Sequence, residues 1–167
     1  MAGCTSSTSS TTNQTPSATP STSTHNAILE AYINAVHQNL LNESNLTIKT
    51  WDVTWNNDTS VHLSDFYVPT NSPDKNATMA SNTTLLLFPS TQAATNFFNA
   101  FDKSNYSPTT LQTQTDQSLY KNVTGHAASV YTYYYTPEPS VTGNTETFRG
   151  ITQLDNLIEF GDTTLTT

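Results

Sequence analysis

The chain has 167 residues, a formal net charge of −8, and only five Lys and Arg residues against 33 Thr, 18 Ser and 17 Asn. So few positive charges argue against binding to nucleic acid, which needs clustered Lys and Arg, and against docking to anionic lipid headgroups. The single cysteine excludes an intrachain disulfide, so residues 25–167 are expected to form one domain held together by packing alone.

The first element is the start of the chain, Met1-Ala2-Gly3-Cys4. The run Ala2-Gly3-Cys4 resembles the end of a lipobox, the cleavage site of lipoprotein signal peptides, although the basic and apolar parts of a signal peptide are missing. The resemblance implies that Cys4 is lipidated and that the protein is anchored at the extracellular face of the cell membrane. Met1 then stands as an introduced or misassigned start, and an unmodified thiol is the alternative.

Residues 5–24 follow as a tract in which fifteen of twenty residues are Ser or Thr. Such a tract has almost no apolar surface to offset a backbone ordering cost of roughly 1–2 kcal/mol per residue. We therefore expect residues 1–24 to form a disordered tether that carries the anchor cysteine. Ser/Thr-rich stretches with Pro are also typical of O-glycosylated stalks.

The sequence contains eight N-glycosylation sequons, slightly more than its content of Asn, Ser and Thr would give by chance. Two of the eight, at Asn13 and Asn105, are followed directly by Pro and are poorer candidates. The predicted glycosylation sites are therefore Asn42, Asn45, Asn57, Asn76, Asn82 and Asn122. Together with the Ser/Thr/Asn-rich composition, they favour the exterior of a prokaryotic cell, with an archaeal cell as one setting.

Periodicity predicts the first half of the domain. Apolar residues from Ile28 to Leu41 recur at helical spacing, with Asn26 or Thr24 as the N-cap. Residues 46–55 and 61–68 alternate like two strands of a hairpin. Residues 83–88 read as a central strand, and a second helix capped by Ser90 is expected to end near residue 105.

The second half is predicted to contain three or four strands, at about 117–123, 127–136, 146–154 and 156–162, after a polar loop at 105–116. The predicted fold class is therefore α+β. An antiparallel sheet of about six to seven strands is packed with two main helices and preceded by the Ser/Thr-rich tail.

The order and spacing of these elements resemble the PsbP/Mog1-like fold, which includes archaeal and bacterial lipoproteins. The resemblance rests on the strand and capped helix from Leu85 to Phe101, on Tyr120 with Gly125-His126-Ala127-Ala128, and on the strand Leu157 to Phe160. It implies a binding or scaffolding role without catalysis. The helix before the first strand also suits a cystatin-like or NTF2-like sheet.

No catalytic or metal-binding motif is present. His62 and Asp65 lie three residues apart on a predicted strand and so point to opposite faces, which does not favour a metal site. Four carboxylates, Asp52, Asp65, Glu146 and Glu159, could pair across strands. Arg149 is expected to form a salt bridge with Glu159 or to grip a ligand carboxylate. No cofactor and no metal are expected.

The strongest candidate for a binding surface is the row Tyr131, Tyr133 and Tyr135, which alternation places on one face of a strand with Tyr134 opposite. Exposed, the row could stack on sugar rings or on a partner protein. The alternative is that these rings pack inside the sheet or under a helix.

Three functions remain open at this point. The favoured one is a non-catalytic cell-surface lipoprotein that contacts envelope glycans or a surface protein. The second is a receptor or delivery protein for a small molecule or glycan, which would need a pocket with convergent polar groups. The third is a hydrolase, which would need titratable groups with strongly shifted pKa values inside such a pocket.

Overall fold

The computed structural model describes residues 25–109 and 113–167, so the predicted lipidation site Cys4 and the predicted tether lie outside the described residues. The described chain is mixed α+β, as expected, with an antiparallel sheet and helices. The helices are α1 (Ala27–Leu41), α2 (Thr91–Ala100) and α3 (Thr113–Thr124). The strands are β1 (Leu46–Asn57), β2 (Ser60–Pro69), β3 (Thr78–Leu87), β4 (Ser107–Pro108), β5 (Tyr131–Tyr135), β6 (Ser140–Thr142), β7 (Thr145–Leu154) and β8 (Leu157–Thr166).

The sheet has eight strands, with the order β1-β2-β3-β8-β7-β5-β4 and with β6 paired to β7. Every neighbouring pair is antiparallel. Strand β8, the last in sequence, thus lies between β3 and β7 and joins the two halves of the chain. The described residues contain more strands than the predicted six to seven and three helices instead of two.

Helix α1 forms as predicted. The Asn26 side chain accepts hydrogen bonds from the backbone N–H groups of Ile28 and Leu29, which would otherwise lack partners in the first turn. The middle of the apolar stripe is buried, with Leu29, Tyr32 and Ile33 in the core, whereas Ile28 and Leu41 at its two ends are exposed.

Helix α3 corrects the prediction of a polar loop at 105–116 and a strand at 117–123. Leu119, Tyr120 and Val123 are spaced i, i+1, i+4, so a helix turns all three towards the core cluster, whereas a strand would divide them between two faces. Aromatic and β-branched residues favour strands intrinsically, but packing overrides this preference.

Other boundaries also differ from the prediction. Helix α2 ends at Ala100 rather than near residue 105, and the Lys103 ammonium donates to the carbonyls of Phe98 and Phe101 at its end. Strand β5 is five residues long rather than ten. The short strands β4 and β6 had no sequence signal, because two or three residues cannot display a period.

Helices cover both faces of the sheet. On one face, which we call the α2 face, Ala94 and Phe98 pack on Ile151 and Ile158 and are surrounded by further aromatic rings. On the other, which we call the cavity face, α1 and α3 pack on β2, β3 and the β7–β8 hairpin. In the described part of the chain, no helix is long and apolar enough to cross a membrane.

Candidate functional site

A cavity of about 550 Å³ lies on the cavity face, beside the apolar core under α1 and α3. Aliphatic side chains from α1 and the start of β1 form part of its wall. Leu63 and Met79 add apolar residues from the sheet, and polar and aromatic residues line most of the rest: Asp65, Tyr67, Ser81, Thr83, Asp116, Tyr133, Tyr135, Phe148, Arg149, Thr152, Glu159, Phe160, Asp162 and Thr163.

Strand register explains how residues distant in sequence reach this cavity. Glu159 on β8 is paired with Leu85 on one side and with Thr152 on the other, and Thr152 is paired with Tyr133. Residues paired across strands point to the same face. A carboxyl group therefore stands in the middle of the sheet, in a row that continues to the tyrosines of β5.

Two glycines are paired in the adjacent row of the sheet, Gly150 on β7 and Gly161 on β8. A Cβ atom on Gly161 would lie 2.0 Å from the backbone oxygen of Asn82, so β3 approaches β8 too closely for any side chain there. A Cβ atom on Gly150 would touch the Tyr133 ring at 3.4 Å. Both glycines line the cavity, where the β3 backbone approaches Gly161 and the Tyr133 ring lies over Gly150.

Asp65 is the least exposed acidic residue of the cavity, with 7% of its surface exposed. Its Oδ2 accepts a hydrogen bond from the Tyr67 hydroxyl. Its Oδ1 is buried and has no hydrogen-bond partner among the described residues. Burial raises the pKa of Asp65, partly offset by the Tyr67 and Ser81 hydroxyls. An unpartnered buried carboxyl oxygen is costly, so this atom calls for a partner that the described residues do not supply.

Glu159 and Asp116 face the same cavity, and burial disfavours the charged forms of their carboxyl groups as well. Burial raises the pKa of Glu159 to about 7, with further contributions from the negative charges of Asp116 and Asp65, while a hydrogen bond from Tyr32 opposes the shift. Burial raises the pKa of Asp116 to about 6, although the Tyr131 hydroxyl donates to it at 3.3 Å. Three carboxyl groups therefore share one poorly solvated region.

The predicted tyrosine row divides between two environments. Tyr131 packs against the core under the helices and donates to Asp116. Tyr133 and Tyr135 line the cavity with their rings stacked, 6.2 Å between centroids and 3° between planes. Tyr134 lies on the opposite face against Phe98. The alternation is as predicted, and the row contributes to a concave wall rather than to a flat outer platform.

Asp155 positions the helix that carries Asp116. It occupies the β7–β8 turn at φ 51°, a conformation that Asp tolerates better than most residues. Its Oδ1 accepts hydrogen bonds from the backbone of Ser129 and Val130, and its Oδ2 accepts one from the Tyr120 hydroxyl of α3. Burial would raise the pKa of Asp155, but these hydrogen bonds outweigh it and lower the pKa.

Of the four carboxylates named from the sequence, the cavity brings together Asp65 and Glu159, whereas Asp52 and Glu146 do not line it. Arg149 does line it, but it is paired in register with Asp162 and forms no salt bridge with Glu159. Asp116 is not among the predicted site residues, because the sequence pattern predicts a polar loop at 105–116. The spacing from Asp116 to Leu119, Tyr120 and Val123 was the signal that could have revealed it.

The histidines lie away from the cavity. His25 and His37 stack on Trp55 and Trp51, and His62 lies 3.4 Å from the Thr84 hydroxyl. His126 is 3.9 Å from Asp155. Over residues 25–109 and 113–167, no three His, Cys, Asp or Glu side chains are close enough to hold a metal ion.

The six predicted glycosylation sites, Asn42, Asn45, Asn57, Asn76, Asn82 and Asn122, are all exposed. Asn82 is the least typical of a glycan site because it lies within β3, where its side chain accepts a hydrogen bond from Ser64. Whether these asparagines carry glycans stays a prediction.

Comparison with known proteins adds no assignment. No family model matches the chain, and no curated protein and no solved structure matches it. The resemblances to lipoproteins and to the PsbP/Mog1-like fold therefore stay predictions, and any function must be argued from the cavity itself.

Proposed function

We propose that this protein binds a small organic molecule in the cavity, as a receptor or delivery protein held at the outer face of the cell membrane. The observation that carries the proposal is the buried Asp65 Oδ1, which lines the cavity without a hydrogen-bond partner in the described chain. The volume of about 550 Å³ falls within the range of roughly 300–1,000 Å³ found for small-molecule sites.

The composition of the wall supports the same function. Aliphatic side chains of α1, such as Val36 and Leu40, offer apolar surface opposite the polar side chains of the sheet. Binding sites typically combine such apolar lining with a few placed polar groups. A packed interior would instead have favoured the function that the sequence favours, a non-catalytic surface protein that contacts envelope glycans or another surface protein. The location at the membrane rests on the lipobox-like start and on nothing in the cavity.

Binding can be tested by a fragment screen that follows both the melting temperature and backbone amide chemical shifts. A ligand that binds only the folded state raises the melting temperature. We expect the shifts to cluster at cavity residues such as Thr83, Gly150 and Gly161. Thr83→Phe should fill the cavity and abolish binding, whereas Thr84→Phe, one residue along the strand and directed to the other face, should not.

The proposal fails if no fragment binds to folded protein, or if binding is unchanged in the Thr83→Phe variant. Attachment to the membrane is tested separately by mass spectrometry of Cys4 in membrane fractions of the native organism. An unmodified thiol would contradict the anchor.

A second candidate function is hydrolysis by general acid–base catalysis. It is favoured by one observation, the pKa values of about 7 for Glu159 and about 6 for Asp116 inside a single cavity. Carboxyl groups that titrate near neutral pH suit proton transfer. Turnover of nitrophenyl glycosides or esters that falls at least about 100-fold in Glu159→Gln would support catalysis. Absence of turnover for all substrates would leave binding as the function.

A further inference from the structure

We propose that the ligand of the cavity is an organic cation, an amine or quaternary ammonium ion whose charge lies among Asp65, Asp116 and Glu159. This assignment rests on the proposed ligand-binding function and specifies its ligand class. Four features of the cavity support it: the balance of charge, the unpartnered oxygen, the aromatic wall and the size of the site.

The balance of charge in the cavity is negative. Four buried or half-buried carboxyl groups line it, those of Asp65, Asp116, Glu159 and Asp162, and none of the four lysines of the chain does. The one basic residue in the wall is Arg149, which is exposed and lies opposite Asp162 on the neighbouring strand. Buried carboxylates are normally paired with a positive group. Among the described residues no lysine lies in the wall to supply that group, so a bound cation is the partner we assign to these carboxylates.

The Asp65 carboxylate shows where such a group would bind. Tyr67 satisfies its Oδ2, and Oδ1 remains buried in the wall with no partner among the described residues. An ammonium N–H donated to Oδ1 would form a charge-assisted hydrogen bond and remove the cost of the empty acceptor.

The aromatic wall matches the same ligand chemistry. Tyr133 and Tyr135 stack with parallel rings, and Asp116 and Glu159 both act electrostatically on the Tyr133 hydroxyl, which places negative charge beside these rings. A cation within about 6 Å of a tyrosine ring is attracted by its electron-rich face. Carboxylates beside aromatic rings are the combination that an ammonium group with an apolar body requires.

A metal ion fits the site less well. Across the described residues the carboxyl groups do not converge within the reach of one ion. Hard divalent ions such as Ca²⁺ need about six to eight oxygen ligands at roughly 2.3–2.6 Å. A cavity of about 550 Å³ instead accommodates a molecule with an extended body, with its charge on the acidic side and its carbon skeleton against α1.

The affinity for a cation should rise with pH. The titratable groups that interact with Glu159 are Tyr32 on α1, Asp65 on β2, Asp116 on α3 and Tyr133 on β5. Burial and the nearby carboxylates raise the pKa of Glu159, so part of the protein carries a proton there at neutral pH. A bound cation favours the ionised carboxylate and releases that proton. A neutral ligand that accepts a hydrogen bond from the protonated carboxyl would show the opposite trend.

Isothermal titration calorimetry with three matched probes tests the assignment. The probes are 2-phenylethylamine, the neutral 2-phenylethanol and the anionic 3-phenylpropionate, with choline as a quaternary ammonium probe. We expect both cations to bind at least ten-fold more tightly than the neutral and anionic probes. We also expect tighter cation binding at pH 8 than at pH 5, with proton release near pH 7.

Variants identify the groups responsible. Asp65→Asn and Glu159→Gln should each weaken amine binding at least ten-fold and change binding of the neutral alcohol less than three-fold. Asp52→Asn removes a carboxylate from the exposed strand β1, outside the cavity, and should leave amine binding unchanged. Should Asp65→Asn fail to fold, Glu159→Gln alone decides the question.

The outcomes separate this assignment from the function on which it rests. Equal affinity for the amine and the alcohol, or equal loss in the Asp52→Asn control, overturns the cation assignment while leaving ligand binding intact. Fragments that bind at the cavity when no cation binds overturn it as well. Failure of every probe and every fragment to bind overturns both proposals.

Discussion

The two faces of the sheet use the same strands but are built differently. On the α2 face, Phe98 lies 5.8 Å from Tyr134 and 4.5 Å from the Lys103 ammonium, and neighbouring aromatic rings are in close contact. On the cavity face, Asp65, Asp116 and Glu159 are among the residues that line a cavity of about 550 Å³. Alternation of side chains along each strand allows one sheet to maintain a packed core and a binding site.

The α2 face mainly stabilises the fold, whereas the carboxyl groups of the cavity serve the proposed binding function at a cost in stability. Apolar groups on the α2 face gain from burial and dispersion. On the cavity face, Glu159 and Asp116 carry raised pKa values because burial disfavours their charged forms, so the folded protein holds charge at a cost in stability. Such a cost is typical of functional sites, and it predicts that removing a side chain from the cavity wall destabilises the fold less than removing one from the packed α2 face.

The largest effect is expected for Phe98→Ala on the α2 face. Phe98 is 4% exposed, and its removal should lower the free energy of unfolding by about 3–5 kcal/mol. The matched variant Phe148→Ala on the cavity face removes a ring that is 37% exposed and should cost less than about 1 kcal/mol. Urea denaturation of both variants tests the comparison. Equal losses would show that the two faces are equally packed.

Asp155→Ala comes next, because it disconnects the β7–β8 turn from α3 and from the segment before β5. Loss of a charged acceptor for Ser129, Val130 and Tyr120 should cost about 3 kcal/mol. Asp155→Asn keeps an oxygen acceptor and tolerates the positive φ, so it should cost less. Hydrogen exchange should show α3 opening first, and uniform loss of protection would contradict this order.

Glu159→Gln should stabilise the protein at high pH. The pKa of Glu159 is about 7 when folded against an ordinary value of 4.5, so the folded state binds the additional proton. The stabilisation that this proton gives to the folded state is complete below about pH 4.5 and is lost as the pH rises through about 7. We expect the variant to exceed the wild type by about 2–3 kcal/mol at pH 8 and to match it near pH 4.

Denaturation at several pH values measures this difference. Asp65 and Asp116 also have raised pKa values, so their ionisation lowers the free energy of unfolding as the pH rises. The Glu159→Gln variant should therefore still lose stability with rising pH, but less steeply than the wild type. The Asp52→Asn control should parallel the wild type. A variant less stable than the wild type at pH 8 would contradict the electrostatic cost assigned to the cavity face.

The smallest difference in stability is expected between the alanine variants of the paired glycines, Gly150 and Gly161. Gly161→Ala would place a Cβ atom 2.0 Å from the Asn82 carbonyl oxygen and should cost about 2 kcal/mol by forcing β3 and β8 apart. Gly150→Ala meets no atom nearer than 3.4 Å and should change stability by less than about 0.5 kcal/mol. Melting temperatures of the two variants provide the test, and similar values would contradict the close approach of β3 to β8.

Periodicity predicts the position of an element correctly where the element is long and pairs with a neighbour close in the sequence. Helix α1, the β1–β2 hairpin and the β7–β8 turn at Asp155-Asn156 are all where the pattern places them. The prediction of a strand in the α3 segment was wrong, because the propensities of Leu119, Tyr120 and Val123 allow either a short strand or a helix. Only the position of the core distinguishes the two.

The sequence by itself determined the α+β class, the acidic and hydroxyl-rich character of the chain, and the alternation that separates Tyr133 from Tyr134. These features follow from composition and local periodicity. The tertiary structure alone decided that Asp65, Asp116 and Glu159 share a cavity. Residues on β2, α3 and β8 meet there through strand order and register, and these depend on contacts between residues distant in the sequence.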